Sequence, residues 1–330
     1  MYHISLFKAR LQSKNLIVMK TGFCFILTLH LLYLNPVSAG SDLKVLVSNK
    51  AFHSLVSGVM QGVSKPFLLL NGNISPHSYS LRPSAAENLQ KSDLVFWGGE
   101  MLEGFLAKPI QSLATNAKFV SLQETEGLKK LLLRAGKEWQ KTGPQTDHDN
   151  SAKNILKRPY GIDPHIWLDP LNAKVITNKI VQILSEMDPL NAQSYQRNGD
   201  KYGQRLDLLD QRLKAEMKEI SSIPYIVFHD AYQYFERRYQ LNSIGFVASH
   251  TGYGTSVRKL IEVRKAIKKK KIRCIFSEPQ FSPKLVQTVI EGTSVKKGML
   301  DPLGTGLKPG KELYFTLLIN LSRSLRKCLL

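Results

Sequence analysis

The strongest constraint on this chain is an alternation of short apolar runs with helix-patterned segments, played through twice. "DLKVLVS" (43–49), "KPFLLLN", "DLVFWGG" and "KFVSLQ" are each short and apolar through the middle. Between them "NKAFHSLVSGVMQGV", "SAAENLQKS" and "EMLEGFLAKPIQSLA" place apolar residues at helical spacing. Short strands that are apolar on both sides, separated by helices, belong to a parallel sheet covered on both faces. The alternation resumes with "YIVFHD", "SIGFVAS", "RCIFSE" and "VKKGMLDPLG", separated by "AYQYFERRYQ", "VRKLIEVRKAIKKKK" and "SPKLVQTVIEGT". A last helix follows from about Lys311.

Two α/β lobes are therefore expected, one over 40–171 and one over 189–330. Between them "NAKVITNKIVQILSEMDP" reads as an amphipathic connecting helix over 172–188, entered after Pro170. A second amphipathic stretch from Asn191 follows almost at once. Residues 134–160 are polar, charged and without apolar period, which reads as a mobile loop. Ligands of open parallel sheets bind at the loops that follow the carboxyl ends of the strands. A cleft between two such lobes turns both loop sets toward one point.

Residues 1–39 read as an export signal. An apolar run from about Phe23 to Leu34 follows a lysine and ends at Val37-Ser38-Ala39. It is too short for a membrane span and has small residues where cleavage would fall. Met19 is a natural start for such a signal, so residues 1–18 are either an extended n-region or a gene-start artefact. A periplasmic location is expected. Cys24 leaves with the signal, and two cysteines in an oxidising compartment, Cys274 and Cys328, suggest one disulfide; two buried free thiols are the alternative. Such a bridge closes a loop of about 55 residues and contributes about 4 kcal/mol by loop entropy.

The formal charge is +20, yet no zinc-finger spacing, RNA-binding signature or heptad-linked basic region accompanies it. No nucleic-acid partner is expected, and the run Lys268–Lys271 reads as a solvated helix end.

The chemistry rests on histidines. His77 in "SPHSY", His165 in "DPHIW" and His229 in "YIVFH" each stand at a strand end or adjoining loop, and Asp301 starts the turn "DPLG". Three imidazoles and a carboxylate complete a tetrahedral set for Zn²⁺, and nitrogen donors favour zinc over manganese. Satisfied polar residues at the same loops remain the alternative at this point. Glu278 in "SEPQ" reads as orienting a ligand, and His250 in "ASHTGYGT" as an accessory contact.

"PHSYSLRPS", "DPHIWLDP", "FHDAYQYFE", "FSEPQFSP" and "LDPLG" resemble, in order, the motifs of the cluster A-I metal-binding receptors of bacterial ABC importers, most of all the zinc-uptake (ZnuA-type) group. The resemblance covers about 43–328. It implies two (β/α)4-like lobes with parallel sheets joined by one long rigid helix, and a metal cleft between them. The implied ligands are His77, His165, His229 and Asp301, and the implied disulfide is Cys274–Cys328. The implied cargo is Zn²⁺, with Mn²⁺ as the weaker alternative because manganese relatives usually carry Glu where His229 stands. A membrane permease with its cytoplasmic ATPase is the implied partner of a monomeric, non-enzymatic receptor. A manganese or iron(II) receptor and a secreted zinc hydrolase are the rival readings. Two departures stand out. The His- and Asp-rich loop of many zinc receptors shrinks to "TDHDN", leaving Asp147, His148 and Asp149 as a weak accessory site. Pro76 stands where some relatives place a Glu.

Overall fold

In the computed structural model, described over residues 43–134, 161–248 and 255–330, each half is built on a four-stranded parallel sheet. The first has the order β2-β1-β3-β4, with Val45–Val47 (β1), Phe67–Leu68 (β2), Leu94–Trp97 (β3) and Lys118–Ser121 (β4). The second repeats this plan as β6-β5-β7-β8, with Tyr225–His229 (β5), Ser243–Ala248 (β6), Cys274–Ser277 (β7) and Lys296–Met299 (β8). In register, Leu46 lies beside both Phe67 and Val95, and Ile226 beside Ile275. The export signal over 1–39, loop residues 135–160 with Asp147, His148 and Asp149, and His250 lie outside the described residues.

Local chemistry sets the helix boundaries. Helix α1 (Lys50–Val59) starts where the Asn49 side chain accepts the Phe52 N–H at 3.2 Å. Helix α2 (Pro83–Gln90) has proline in its first turn, where a missing N–H costs nothing. The helix expected over "EMLEGFLAKPIQSLA" is broken. It splits into α3 (Glu100–Glu103), a 3-10 turn (Gly104–Leu106) and α4 (Ala107–Leu113). Pro109 explains the break, because a proline in a continuous helix would clash with the carbonyl four residues earlier. It is accommodated by restarting at Ala107.

The helical connector is present as α5 (Pro170–Met187), begun by Asp169, whose side chain accepts the Leu171 N–H at 2.9 Å. It packs along the longer α6 (Ala192–Lys218). Helices α7 (Gln233–Arg238), α8 (Val257–Lys269), α9 (Lys284–Ile290) and α10 (Leu313–Leu329) belong to the second half. Among the described residues no helix is long and apolar enough to cross a membrane.

One apolar core runs through both halves by way of these helices. Phe52, Trp167, Ile180, Leu206, Tyr314 and Leu321 belong to it and are buried. Gly58 permits the close approach of α1 to α6, since a Cβ there would stand 2.3 Å from the Tyr202 ring. The outer face of each sheet carries its own smaller cluster, around Val95 in the first half and Ile275 in the second. Covering on both faces is why the strands read as unbroken apolar runs.

The halves are also tied by polar contacts. Lys50 Nζ donates to the carbonyls of Thr305 (2.6 Å) and Leu307 (3.2 Å), and Trp167 Nε1 donates to Pro302 O at 2.8 Å. Cys274 and Cys328 are disulfide-bonded with Cα atoms 6.2 Å apart, pinning α10 to the start of β7. The expected mobile loop began at residue 134, but the Arg134 side chain is only 10 % exposed. Its guanidinium holds Asp230 (Nε to Oδ2 at 3.0 Å) and Glu236 (Nη1 to Oε2 at 2.7 Å). Nothing local to Arg134 announces this, because the two carboxylates are 96 and 102 residues away in sequence.

Candidate metal site

The site lies where the carboxyl ends of the two sheets meet. His229 is the last residue of β5, inside the sheet ladder. His77 sits in a 3-10 turn, Pro76–Ser78, in the loop that follows edge strand β2. His165 leads into the turn Ile166–Leu168 just before α5. Its approach is fixed by a short antiparallel pairing in which Asp163 N donates to Leu131 O at 2.8 Å and Leu133 N to Gly161 O at 2.9 Å.

Donor atoms of His77, His165 and His229 lie within 4.8 Å of one another. Nε2 of His165 is 3.4 Å from Nε2 of His77 and 3.4 Å from Nε2 of His229. Two imidazole nitrogens bound tetrahedrally to zinc at 2.0–2.1 Å stand about 3.3 Å apart. Both separations are therefore those of tetrahedral edges that meet at His165 Nε2.

Two carboxylates decide which nitrogen faces inward. His165 Nδ1 is 2.7 Å from Asp163 Oδ1, and His229 Nδ1 is 2.6 Å from Glu278 Oε1. Hydrogen bonding there puts the ring proton on Nδ1 and leaves the Nε2 lone pairs aimed at each other. Two acceptors at 3.4 Å do not bond to one another; a cation between them satisfies both. Asp163, His165, His229 and Glu278 are all 1–3 % exposed, so these interactions are little screened by water.

Ring packing closes the walls. His165 lies 5.4 Å from Trp167 and His229 lies 5.3 Å from Phe281, centroid to centroid. The void that the three histidines share with Ser75, Pro302 and Leu303 has a volume of about 10 Å³. That is room for about one atom-sized guest.

Asp301 is not brought into this cluster. Its Oδ1 accepts from Gln280 Nε2 (2.8 Å) and from the backbone of Leu303 and Gly304 (both 3.1 Å), while Oδ2 accepts Thr305 N at 2.6 Å. It holds the turn that lines the void, a role equally written in "DPLG". Of the four expected ligands, the structure brings His77, His165 and His229 together and leaves Asp301 in the adjoining turn. Glu278 stands where an orienting residue is expected. Asp163 was missed, although the spacing Asp-Pro-His, with a turn former between, is the signal that could have found it. Lys50 sits close to Asp301, and burial lowers its pKa more than that carboxylate raises it.

In the first lobe a buried carboxyl ties the strand ends behind the site. Glu103 accepts from Asn49 Nδ2 at 2.9 Å and from Gly98 N at 2.7 Å, joining the ends of β1 and β3. Burial pushes its pKa up to about 7.

Two parallel-sheet lobes on a helical connector, with imidazoles converging between them, define a two-lobed metal-binding protein. The chain belongs to the ZnuA family, described as zinc-uptake complex component A, periplasmic, whose profile matches residues 45–328. It is 41 % identical over 316 residues to the high-affinity zinc uptake system protein ZnuA of Brucella abortus (strain 2308), covering 88 % of this chain and 93 % of that one. A crystal structure of ZnuA has the same fold at a TM-score of 0.72 and 22 % identity, covering 88 % of this chain and 100 % of that chain. FpvC of Pseudomonas aeruginosa in complex with Mn²⁺ also shares the fold, with TM-score 0.72, 21 % identity, and 87 % and 99 % of the two chains.

Proposed function

We propose that the protein captures Zn²⁺ in the periplasm and passes it to a membrane permease driven by a cytoplasmic ATPase. The observation that carries this reading is the convergence of three imidazoles, with His165 Nε2 at tetrahedral spacing from Nε2 of both His77 and His229 and two of the rings set by carboxylates at Nδ1. Relatives named as zinc uptake proteins support it. Three neutral nitrogens suit zinc better than manganese, which favours oxygen donors, and both manganese and iron(II) stand below zinc in the affinity order.

The size of the void supports cargo over catalysis. A volume of about 10 Å³ takes an ion and leaves no room for an ester or peptide substrate. A hydrolytic zinc keeps a position open for water beside bound substrate. Release follows from the way the ligands are shared. His77 belongs to the first lobe and His229 to the second, so a small tilt of one lobe lengthens one bond and weakens the site. The shared core and the Lys50 and Arg134 ties favour tilts over wide opening. The protein acts as a monomer in this reading.

The test is a competition titration of Zn²⁺ against Mn²⁺ on residues 40–330. Zinc displacing manganese at equal concentration is the expected result. Manganese holding the site against zinc would overturn the assignment of cargo.

A further inference from the structure

The chain carries a concentrated cationic face at the end of the second lobe away from the metal. Segments 256–273 and 291–297 hold eleven lysines and arginines against two glutamates. They meet around the carboxyl half of α8 and the amino ends of β7 and β8. Cys274 pairs in register with both Tyr225, at the start of β5, and Lys296. His229 is four residues further along β5, so the face is roughly 13 Å or more from the metal end.

The arginines of this face are already engaged. Arg264 donates to the carbonyls of Thr288 (3.2 Å) and Glu291 (2.9 Å), Arg273 to Leu330 O (2.9 Å), and Arg258 to Glu262 (3.3 Å). Lys265, Lys268, Lys269, Lys270, Lys271, Lys296 and Lys297 are exposed, and none has a carboxylate partner among the described residues. Compact, hydrated charges on flexible stems suit a diffuse anionic surface rather than one planar, bidentate target.

The shape of the face agrees. One stripe of α8 runs Val257, Ile261, Lys265, Lys268, at successive spacings of one helical turn. Val257 is 74 % exposed and Ile261 48 %, while Val263 and Ile267 on the opposite side anchor the helix in the core. Two bare aliphatic side chains in line with lysines form the pattern of a helix lying against a headgroup layer. Beside the stripe opens a recess of about 630 Å³, lined by Lys268, Lys271, Arg273, Thr293, Ser294 and Lys296. Its cations and hydroxyls match phosphate oxygens. Among the described residues the face's aromatic ring, Phe246, lies under Lys259 Nζ at 4.2 Å rather than standing bare for base stacking.

We propose that the outer face of α8, with the recess beside it, docks the protein on the anionic phospholipid headgroups of a bilayer, keeping the receptor at the membrane while the metal cleft stays free. This does not depend on which metal is carried.

The experiment is co-sedimentation of residues 40–330, the compact unit holding every described element, with vesicles of phosphatidylcholine containing about a third phosphatidylglycerol. Omitting the apolar run of residues 23–34 keeps it from partitioning by itself. Binding should vanish on pure phosphatidylcholine and fall steeply toward about 0.5 M salt. The variant K265Q/K268Q/K269Q/K271Q should bind roughly tenfold or more weakly with unchanged zinc affinity. A control, K65Q/K91Q/K108Q/K118Q, removes as much charge from the first lobe and should retain binding. Equal loss in both variants would reduce the effect to net charge and overturn the proposal. So would failure of the wild type to sediment, or tighter binding to polyglutamate than to the vesicles, which would point to an acidic protein instead.

Discussion

The two lobes share one sheet plan, yet His77 of the first and His229 of the second are held differently. In the second lobe His229 ends the central strand β5, 3 % exposed, with its ring fixed by Glu278. In the first, His77 rides a 3-10 turn beyond edge strand β2, which is only two residues long, and is half-buried. A ligand at the end of a central strand inherits its position from the ladder and the core. One on an edge loop is positioned by far fewer contacts. A capture site gains from the mixture, because the rigid corners set the geometry and the looser one lets the ion in and out.

The sharpest way to break this comparison is at the ligands themselves. His229→Ala and His165→Ala should each weaken zinc by about a thousandfold, about 4 kcal/mol, while His77→Ala should cost less, since water can replace a ligand at the more open corner. Isothermal titration of the three variants checks the ranking, and an equal or larger loss at His77 would erase the proposed asymmetry. Next in size is the staple found only in the second lobe. Reducing Cys274–Cys328, 54 residues apart in sequence, should cost about 4 kcal/mol, read as a lower denaturant midpoint.

The first lobe has its own signature in pH. Glu103 has a folded pKa raised to about 7, so the folded state holds its proton where the unfolded chain, with an ordinary carboxyl, has lost it. That contribution is complete below about pH 4.5 and is lost as pH rises through 7, a span of about 3 kcal/mol. Denaturation midpoints should therefore fall between pH 5 and 8, and Glu103→Gln should flatten that slope. A slope unchanged in the variant would reject the assignment. The smallest effect expected is at the carboxylates behind the rings. Glu278→Gln and Asp163→Asn should each weaken zinc by 10- to 100-fold, with the fold retained by circular dichroism.

Much of the fold was legible because its determinants are local. Parallel strands covered on both faces announce themselves as apolar runs, and Asp169-Pro170 marks the connector's start. The pairing of Cys274 with Cys328 followed from there being two cysteines beyond the signal. Three of the site's residues were legible because histidines at strand ends are conspicuous. What stayed hidden depends on distant partners. Nothing near Arg134 in sequence discloses Asp230 and Glu236. Asp301 reads equally as a turn cap or a metal ligand in sequence, and its bonds to Gln280, Leu303, Gly304 and Thr305 come from side chains and backbone that only the fold brings to it.

X-ray absorption at the zinc edge tests the ligand set most directly, on the wild type and Asp301→Ala loaded with one equivalent of Zn²⁺. Three imidazoles and one light oxygen or nitrogen donor, unchanged in the variant, are what the three-histidine site predicts. Fewer than three imidazoles, or loss of a donor atom bound to zinc in Asp301→Ala, would contradict it.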